Sequence, residues 1–312
     1  MVSGIKFSDW LHNSVTESSD KKYRHRLFKE HPGKHRDILS ELTLYVQNAH
    51  EDARYRLRKL AENSLDPLDP KPTFDPAAGY PEIFHIQTLK GYFGEIFAGL
   101  IAEHFSPFGE DGWKVPAFLF RFHGVEFQQL ELLRHTGGTA DLRPGRTGDD
   151  CLAFTLDKEG EITRFIYCEA KCTPSHDTTM IADAHKKVGE SVFPVDLPQI
   201  LEILQLRTDT VSRAWVRAVY HLWLESTEHK SEHCNMVSYI CGVSPVRGGR
   251  LAWLPTDKPH EQYKAQRRLE AVEIHLPDVE QLIREVYGKP NVEDLVSVGS
   301  ATEDEIHGST NE

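Results

Sequence analysis

The residues of this chain best suited to chemistry are Glu169 and Lys171, in the run Cys168-Glu169-Ala170-Lys171-Cys172, and the pair Asp149-Asp150 that precedes them. Side chains two apart on a strand project from one face, so an extended run presents Glu169 and Lys171 together. Residues 151–156 (CLAFTL) and 162–171 (ITRFIYCEAK) read as two strands joined by DKEGE, in which Gly160 marks a tight hairpin turn. With the turn centred on Lys158 and Glu159, Asp157 faces Gly160, Asp150 faces Tyr167 and Gly148 faces Glu169. A small latitude in that register leaves Asp149 or Asp150 beside Glu169. Two carboxylates opposed across adjacent strands repel unless a cation lies between them. Their oxygens suit a hard divalent ion, Mg²⁺ or Mn²⁺. Such an ion polarises a scissile phosphate and lowers the pKa of a bound water, while a neighbouring lysine orients that water or stabilises the developing charge. The chemistry indicated is phosphodiester hydrolysis. Glu-x-Lys by itself is frequent by chance, and its weight here comes from the preceding Gly-Asp-Asp and from the hairpin spacing.

Glu95 is a further candidate. It stands among Phe93, Ile96 and Phe97 in GYFGEIFAGL, where a carboxylate is costly unless paired or metal-bound, although an exposed glutamate on a polar helix side fits the same pattern. Asp141, in GGTADL, is a third-ranked substitute for Asp150, after Asp149. His185 and Lys186 fall on the helix expected after the second strand and read more simply as an exposed face. Cys168, Cys172, His176 and His185 are close in sequence, but their spacing does not match paired zinc knuckles. His229, His233 and Cys234 sit in a polar stretch that reads as a surface connection. Trp215, Val219, Leu222 and Trp223 suit a core or a subunit interface better than a base-stacking platform. Arg143 and Arg146 precede the hairpin within reach of a phosphate, with a solvated loop as the plainer reading.

The elements that must position these groups are visible in outline. Residues from about 5 to 64 read as helical on the strength of good helix formers. Pro67, Pro70, Pro72, Pro76 and Pro81 then exclude a helix or central strand and mark a boundary. Leu89, Phe93, Ile96, Phe97, Leu100 and Ile101 recur at three- and four-residue intervals, the pattern of a buried amphipathic helix. One or two strands are expected in PAFLFRFHGVEFQQLELL, a helix from Asp177 to about Lys187, and one or two helices between residues 197 and 226. Strands at MVSYICGVS and AVEIHL and a closing helix at DVEQLIREVYG complete the series. Strands interleaved with helices imply an α/β fold, a mixed sheet with helices on its faces. The division expected is a helical N-terminal region with its Pro-rich linker (1–82), a catalytic domain (83–290) and a disordered acidic tail (291–312).

At 312 residues, 39% hydrophobic and 27% charged, the chain has the balance of a globular protein able to bury a sizeable core. No run approaches the roughly 18 apolar residues of a membrane span. The N-terminus lacks the pattern of a signal peptide. Five cysteines, an odd number set in strand-like runs, suit reduced thiols, so the expected location is the cytoplasm. The net charge of −12 argues against a nucleic-acid partner. Against that, eleven Lys and Arg between Lys21 and Lys59 face only five acids there, a local excess that can follow phosphates or merely solvate a helix face.

The order of Glu95 on a helix, Asp149-Asp150, Glu169-Ala170-Lys171 and a following helix resembles the PD-(D/E)xK nuclease superfamily over residues 85 to 245. The resemblance implies a restriction-endonuclease-like mixed sheet flanked by helices. It also implies that Glu95, Asp150 and Glu169 are metal-site acids and Lys171 the catalytic lysine. Gly148-Asp149-Asp150 matches the Gly-x-Asp form of the motif and favours Asp150. More narrowly, the YFGEI helix, the Asp…Glu-Ala-Lys core and VEIHLPDVEQLIREVYG are similar to the nuclease subunit of Hachiman-type antiphage defence systems. That similarity implies DNA as substrate, a bacterial defence role and a helicase or ATPase partner. The competing expectation, from a different class, is a chain that keeps the fold as a non-catalytic adaptor or regulatory subunit.

Overall fold

The computed structural model describes residues 7–62, 75–120, 150–191, 196–224, 231–245 and 251–288. Its centre is a six-stranded mixed sheet: β1 (Leu11–Glu17), β2 (Tyr23–Glu30), β3 (Cys151–Leu156), β4 (Ile162–Thr173), β5 (Glu232–Cys241) and β6 (Leu269–His275). The spatial order is β1-β2-β6-β5-β4-β3. The four inner strands, β2, β6, β5 and β4, run parallel to one another, and an antiparallel strand closes each edge. Parallel strands need crossover connections; three helices lie on the one from β4 to β5, whereas the described residues between β5 and β6 hold no helix.

The described helices are α1 (Phe7–Trp10), α2 (His35–Ala49), α3 (Glu51–Glu62), α4 (Ile86–His104), α5 (Thr178–Glu190), α6 (Leu197–Leu206), α7 (Thr210–Leu224) and α8 (Val279–Val286). α4 packs on β3, β4 and β5, with α2 and α8 beside it. It is buried on nearly all sides from Thr88 to Ala102, beyond the single stripe that its periodicity implies. Phe93, Phe97, Cys168, Cys172, Ile240 and Val272 belong to the core on this face. α5 packs on β4 and β5 from the other face, with α7 also on β4 and α6 on α7. There Tyr167, Ile181, Val188, Leu204, Trp215, Val237 and Tyr239 form the second core. Among the described residues no helix is long and apolar enough to cross a membrane.

The N-terminal region departs from the helical reading. α2 and α3 are helices, but residues 11–30 form the β1–β2 hairpin, and β2 pairs in parallel with β6, from Tyr23 beside Leu269 to Lys29 beside His275. The boundary placed near residue 82 therefore does not separate the N-terminal region from the sheet. The strand was hidden because β2 buries charge. Arg26 is 4% exposed and its Nε donates to Glu270 Oε1 at 2.8 Å, while His25 Nε2 lies 3.5 Å from Glu273 Oε2. Polar residues at buried positions erase the two-residue apolar alternation by which a strand is read.

The basic excess of this region is also largely consumed. Arg24 and Arg26 face Glu270, Arg54 faces Glu51 and Glu82, and Arg56 faces Glu202. Arg58 pairs with Asp75 and Lys34 with Asp37. Six of the eleven bases thus pair with acids of the fold, the Lys34 and Arg58 pairs at the surface.

Candidate active site

The β3–β4 hairpin carries the site. Its register pairs Cys151 with Cys168 and Phe154 with Phe165, and shifts between Thr155 and Leu156. Continued one step outward, this register sets Asp150 opposite Glu169. The expected pairing of Asp150 with Tyr167 was two residues out, because the turn spans Asp157 to Glu161 and the strand carries an irregularity beside it. The main-chain N–H of Asp157 donates to Glu161 O at 2.9 Å, and Asp157 Oδ1 accepts from the N–H groups of Glu159 and Glu161. Asp150 Oδ2 accepts the main-chain N–H of Ala170 at 2.9 Å, which ties the acid to the Glu-Ala-Lys run itself. Asp149, Asp141, Arg143 and Arg146 lie outside the described residues.

Alternation along β4 sends Tyr167 to the α5 face and Cys168 and Cys172 to the α4 face, so Glu169 and Lys171 point toward α5. α5 begins where the sequence reading placed it. Asp177 caps it, with Oδ1 accepting from Thr179 N at 2.8 Å and Met180 N at 3.3 Å. Asp183 and Lys187, four residues apart on this helix, face β4 together. Lys171 Nζ donates to Glu169 Oε1 at 2.9 Å and lies 3.0 Å from Asp183 Oδ2. Lys187 Nζ lies 2.6 Å from Glu169 Oε2. That contact is a charge pair between a partly exposed ammonium and a buried carboxylate oxygen. The result is a chain of alternating charges, Asp183–Lys171–Glu169–Lys187, with Asp150 at the strand end beside it.

Glu169 is 1% exposed, and burial together with the Asp150 charge pushes its carboxyl up to about 7, although Lys171 and Lys187 pull the other way. For Lys171, burial lowers the pKa, but Glu169, Asp183 and Asp150 outweigh it and hold the ammonium above its ordinary value. Two oxygen donors facing each other, one driven toward neutrality by burial and then by the other, have the composition that a hard divalent cation relieves. Asp150 and Glu169 therefore fit such an ion by donor chemistry.

Glu95 stands differently. It is buried on α4, and its charge reaches Cys151, whose thiol is raised first by burial and then by Glu95. α4 lies so near β4 that a Cβ at Gly94 would sit 3.5 Å from Cys172 Cβ and 3.7 Å from Ala170 Cβ. Glu95 thus approaches from the α4 face, and Glu169 faces α5. Among the described residues no three His, Cys, Asp or Glu side chains are gathered closely enough to hold a metal ion. The structure brings together Asp150, Glu169 and Lys171, and does not gather Glu95 with them into one three-acid cluster.

The helix contribution was missed by one residue. Lys186 is exposed, and His185 is buried with Nδ1 2.8 Å from Ile181 O, whereas Lys187 reaches the site. The available signal was the four-residue step from Asp183, a residue whose charge is opposite to that of Lys171. Elsewhere, His233 and Cys234 lie in β5 rather than a surface connection, with the His233 ring stacked 4.6 Å from Phe165. Trp215, Val219 and Leu222 are core residues, and Trp223 is 42% exposed. The five cysteines are free and buried. No model of a known protein family matches the chain, and no characterised protein matches it in sequence.

Proposed function

We propose that this chain is a metal-dependent endonuclease that hydrolyses phosphodiester bonds in DNA, using Mg²⁺ or Mn²⁺. The observation that carries the reading is the hairpin register, which sets Asp150 against buried Glu169 with Lys171 on the same face. Asp150 and Glu169 would hold the ion, and Glu95 is a further acid on the neighbouring helix. When bound, the ion supplies Lewis-acid polarisation of the phosphate and a more acidic water. The rest of the work belongs to the chain. The main-chain N–H of Ala170 fixes Asp150, and Asp183 fixes Lys171 with its ammonium charged, so that Lys171 can steady negative charge growing on a phosphate oxygen. Packing of α5 and α4 on the two faces buries Asp150 and Glu169, where electrostatic interactions are strong, while Asp183 lies at the exposed edge. On the sequence resemblance, the role is bacterial antiphage defence, in the cytoplasm, beside a helicase or ATPase partner.

The test uses plasmid DNA with Mg²⁺ and calorimetric titration with Mn²⁺. Wild type is expected to nick DNA and to bind Mn²⁺, with both properties lost in Asp150→Ala and Glu169→Ala and nicking reduced about 10²-fold or more in Lys171→Ala. Equal nicking by all of them, or no Mn²⁺ signal that depends on Asp150, overturns the reading. One observation favours the adaptor alternative: Glu169 is already neutralised by two lysines. A Mn²⁺ signal abolished by Asp150→Ala decides against that alternative.

A further inference from the structure

The two lysines on Glu169 are not equivalent. Lys171 is held at both ends of a bridge, between Glu169 Oε1 and Asp183 Oδ2, and its side chain is 22% exposed. Lys187 has a side chain 33% exposed, and Glu169 is its one acidic partner among the described residues. Its four-carbon stem is flexible, and its head is a compact point charge. The oxygen it covers, Oε2, belongs to the carboxylate that faces Asp150. A divalent ion shared by Asp150 and Glu169 and an ammonium 2.6 Å from Oε2 would compete for one place.

We propose that Lys187 is a displaceable counter-ion, which occupies Glu169 until a nucleic-acid phosphate draws it away and so couples phosphate binding to divalent-cation binding. The inference rests on the metal-dependent nuclease reading and adds a regulation of that same site. A phosphate is suited to the task because it offers the ammonium a replacement anion. Lys171 stays in place during the exchange because Asp183 still holds it. The ion then enters an acid pair relieved of its internal cation. By linkage, DNA must tighten metal binding by the factor by which metal tightens DNA binding, typically about 5- to 150-fold.

The experiment measures binding alone, at mildly alkaline pH where Glu169 is ionised. Mn²⁺ is titrated calorimetrically into the full chain, and a labelled phosphorothioate oligonucleotide, single-stranded or annealed, is titrated with and without Mn²⁺ by anisotropy. Wild type should bind Mn²⁺ weakly alone, and Mn²⁺ should strengthen its binding of the oligonucleotide about 5- to 150-fold. Lys187→Met should bind Mn²⁺ more tightly than wild type without nucleic acid, and the coupling should collapse toward one. Lys187→Arg, which keeps the charge, should retain the coupling and guards against a folding artefact in the Met variant. Wild-type and Lys187→Met chains with equal Mn²⁺ affinity and equal coupling overturn the counter-ion role while leaving the nuclease reading intact. Absence of Asp150-dependent Mn²⁺ binding in every form overturns both.

Discussion

Glu169 gathers most of what is unusual at the level of single residues. Its carboxyl is raised from the ordinary 4.5 to about 7 by burial and by Asp150. The folded chain therefore holds a proton there that the unfolded chain has lost over that interval. Stability from this group is largest below about pH 4.5 and declines as pH rises toward 7. In metal-free buffer, Glu169→Gln should melt above wild type when the pH exceeds 7, by roughly 2–4 °C per kcal/mol gained, and the difference should shrink as the pH falls. Thermal melts across that range check the sign; a gap that widens on acidification would contradict it. Glu169 and Lys171 were legible as a pair because strand periodicity alone puts them on one face. Lys187 was not, because helix phase does not say which side of α5 meets the sheet.

Among the elements, α5 and the turn that feeds it decide how well the site is held. Asp177 satisfies two N–H groups of the first turn. Asp177→Ala should cost about 0.5–2 kcal/mol in urea unfolding and weaken the hold of α5 on Asp183 and Lys187. Gly242, just beyond β5, donates its N–H to Thr173 O at 3.0 Å, and a Cβ there would meet Pro174 O at 2.5 Å. Main chain cannot yield as a side-chain tip does, so Gly242→Ala should destabilise by about 1–3 kcal/mol and displace the β4–α5 connection. Equilibrium unfolding of both variants, with a Mn²⁺ titration, measures the two effects together. The hairpin and α5 were readable locally, since turn residues and a capping aspartate act within a few positions. The register of β3 on β4 was off by two residues because the irregularity near Thr155 depends on how the strands twist together.

At the scale of the whole molecule, the sheet is tied to its N-terminal strands by buried ions. Glu273 is fully buried between His25 and His275 and accepts the N–H groups of Trp253 and Leu254 at 2.7 and 2.8 Å. Burial alone would raise its pKa, but these four contacts outweigh it and bring the carboxyl down to about 2. Its stabilisation is present above about pH 4.5 and is lost as the pH falls toward 2. Glu273→Gln should flatten the acid limb of stability over that interval, seen in unfolding free energy against pH. Arg26→Met would strand Glu270 in the core with much of its compensation gone, at a cost of about 3–5 kcal/mol. For the same reason a chain trimmed to residues 83–312 should fail to fold, with circular dichroism and limited proteolysis reporting the loss.

By itself the sequence determined the α/β alternation, the β3–β4 hairpin, the buried α4 and the Glu169–Lys171 pair. These depend on periodicity, turn chemistry and burial, which act over a few residues. Tertiary structure alone decided that residues 11–30 complete the sheet, that Asp150 is the acid facing Glu169, and that Glu95 comes from the opposite face. It also decided that Lys187 closes the charge chain. Each of these depends on partners far apart in the chain, where a buried Arg26 is tolerable only because Glu270 arrives from β6, and where a lysine's place is settled by the helix face that packing selects.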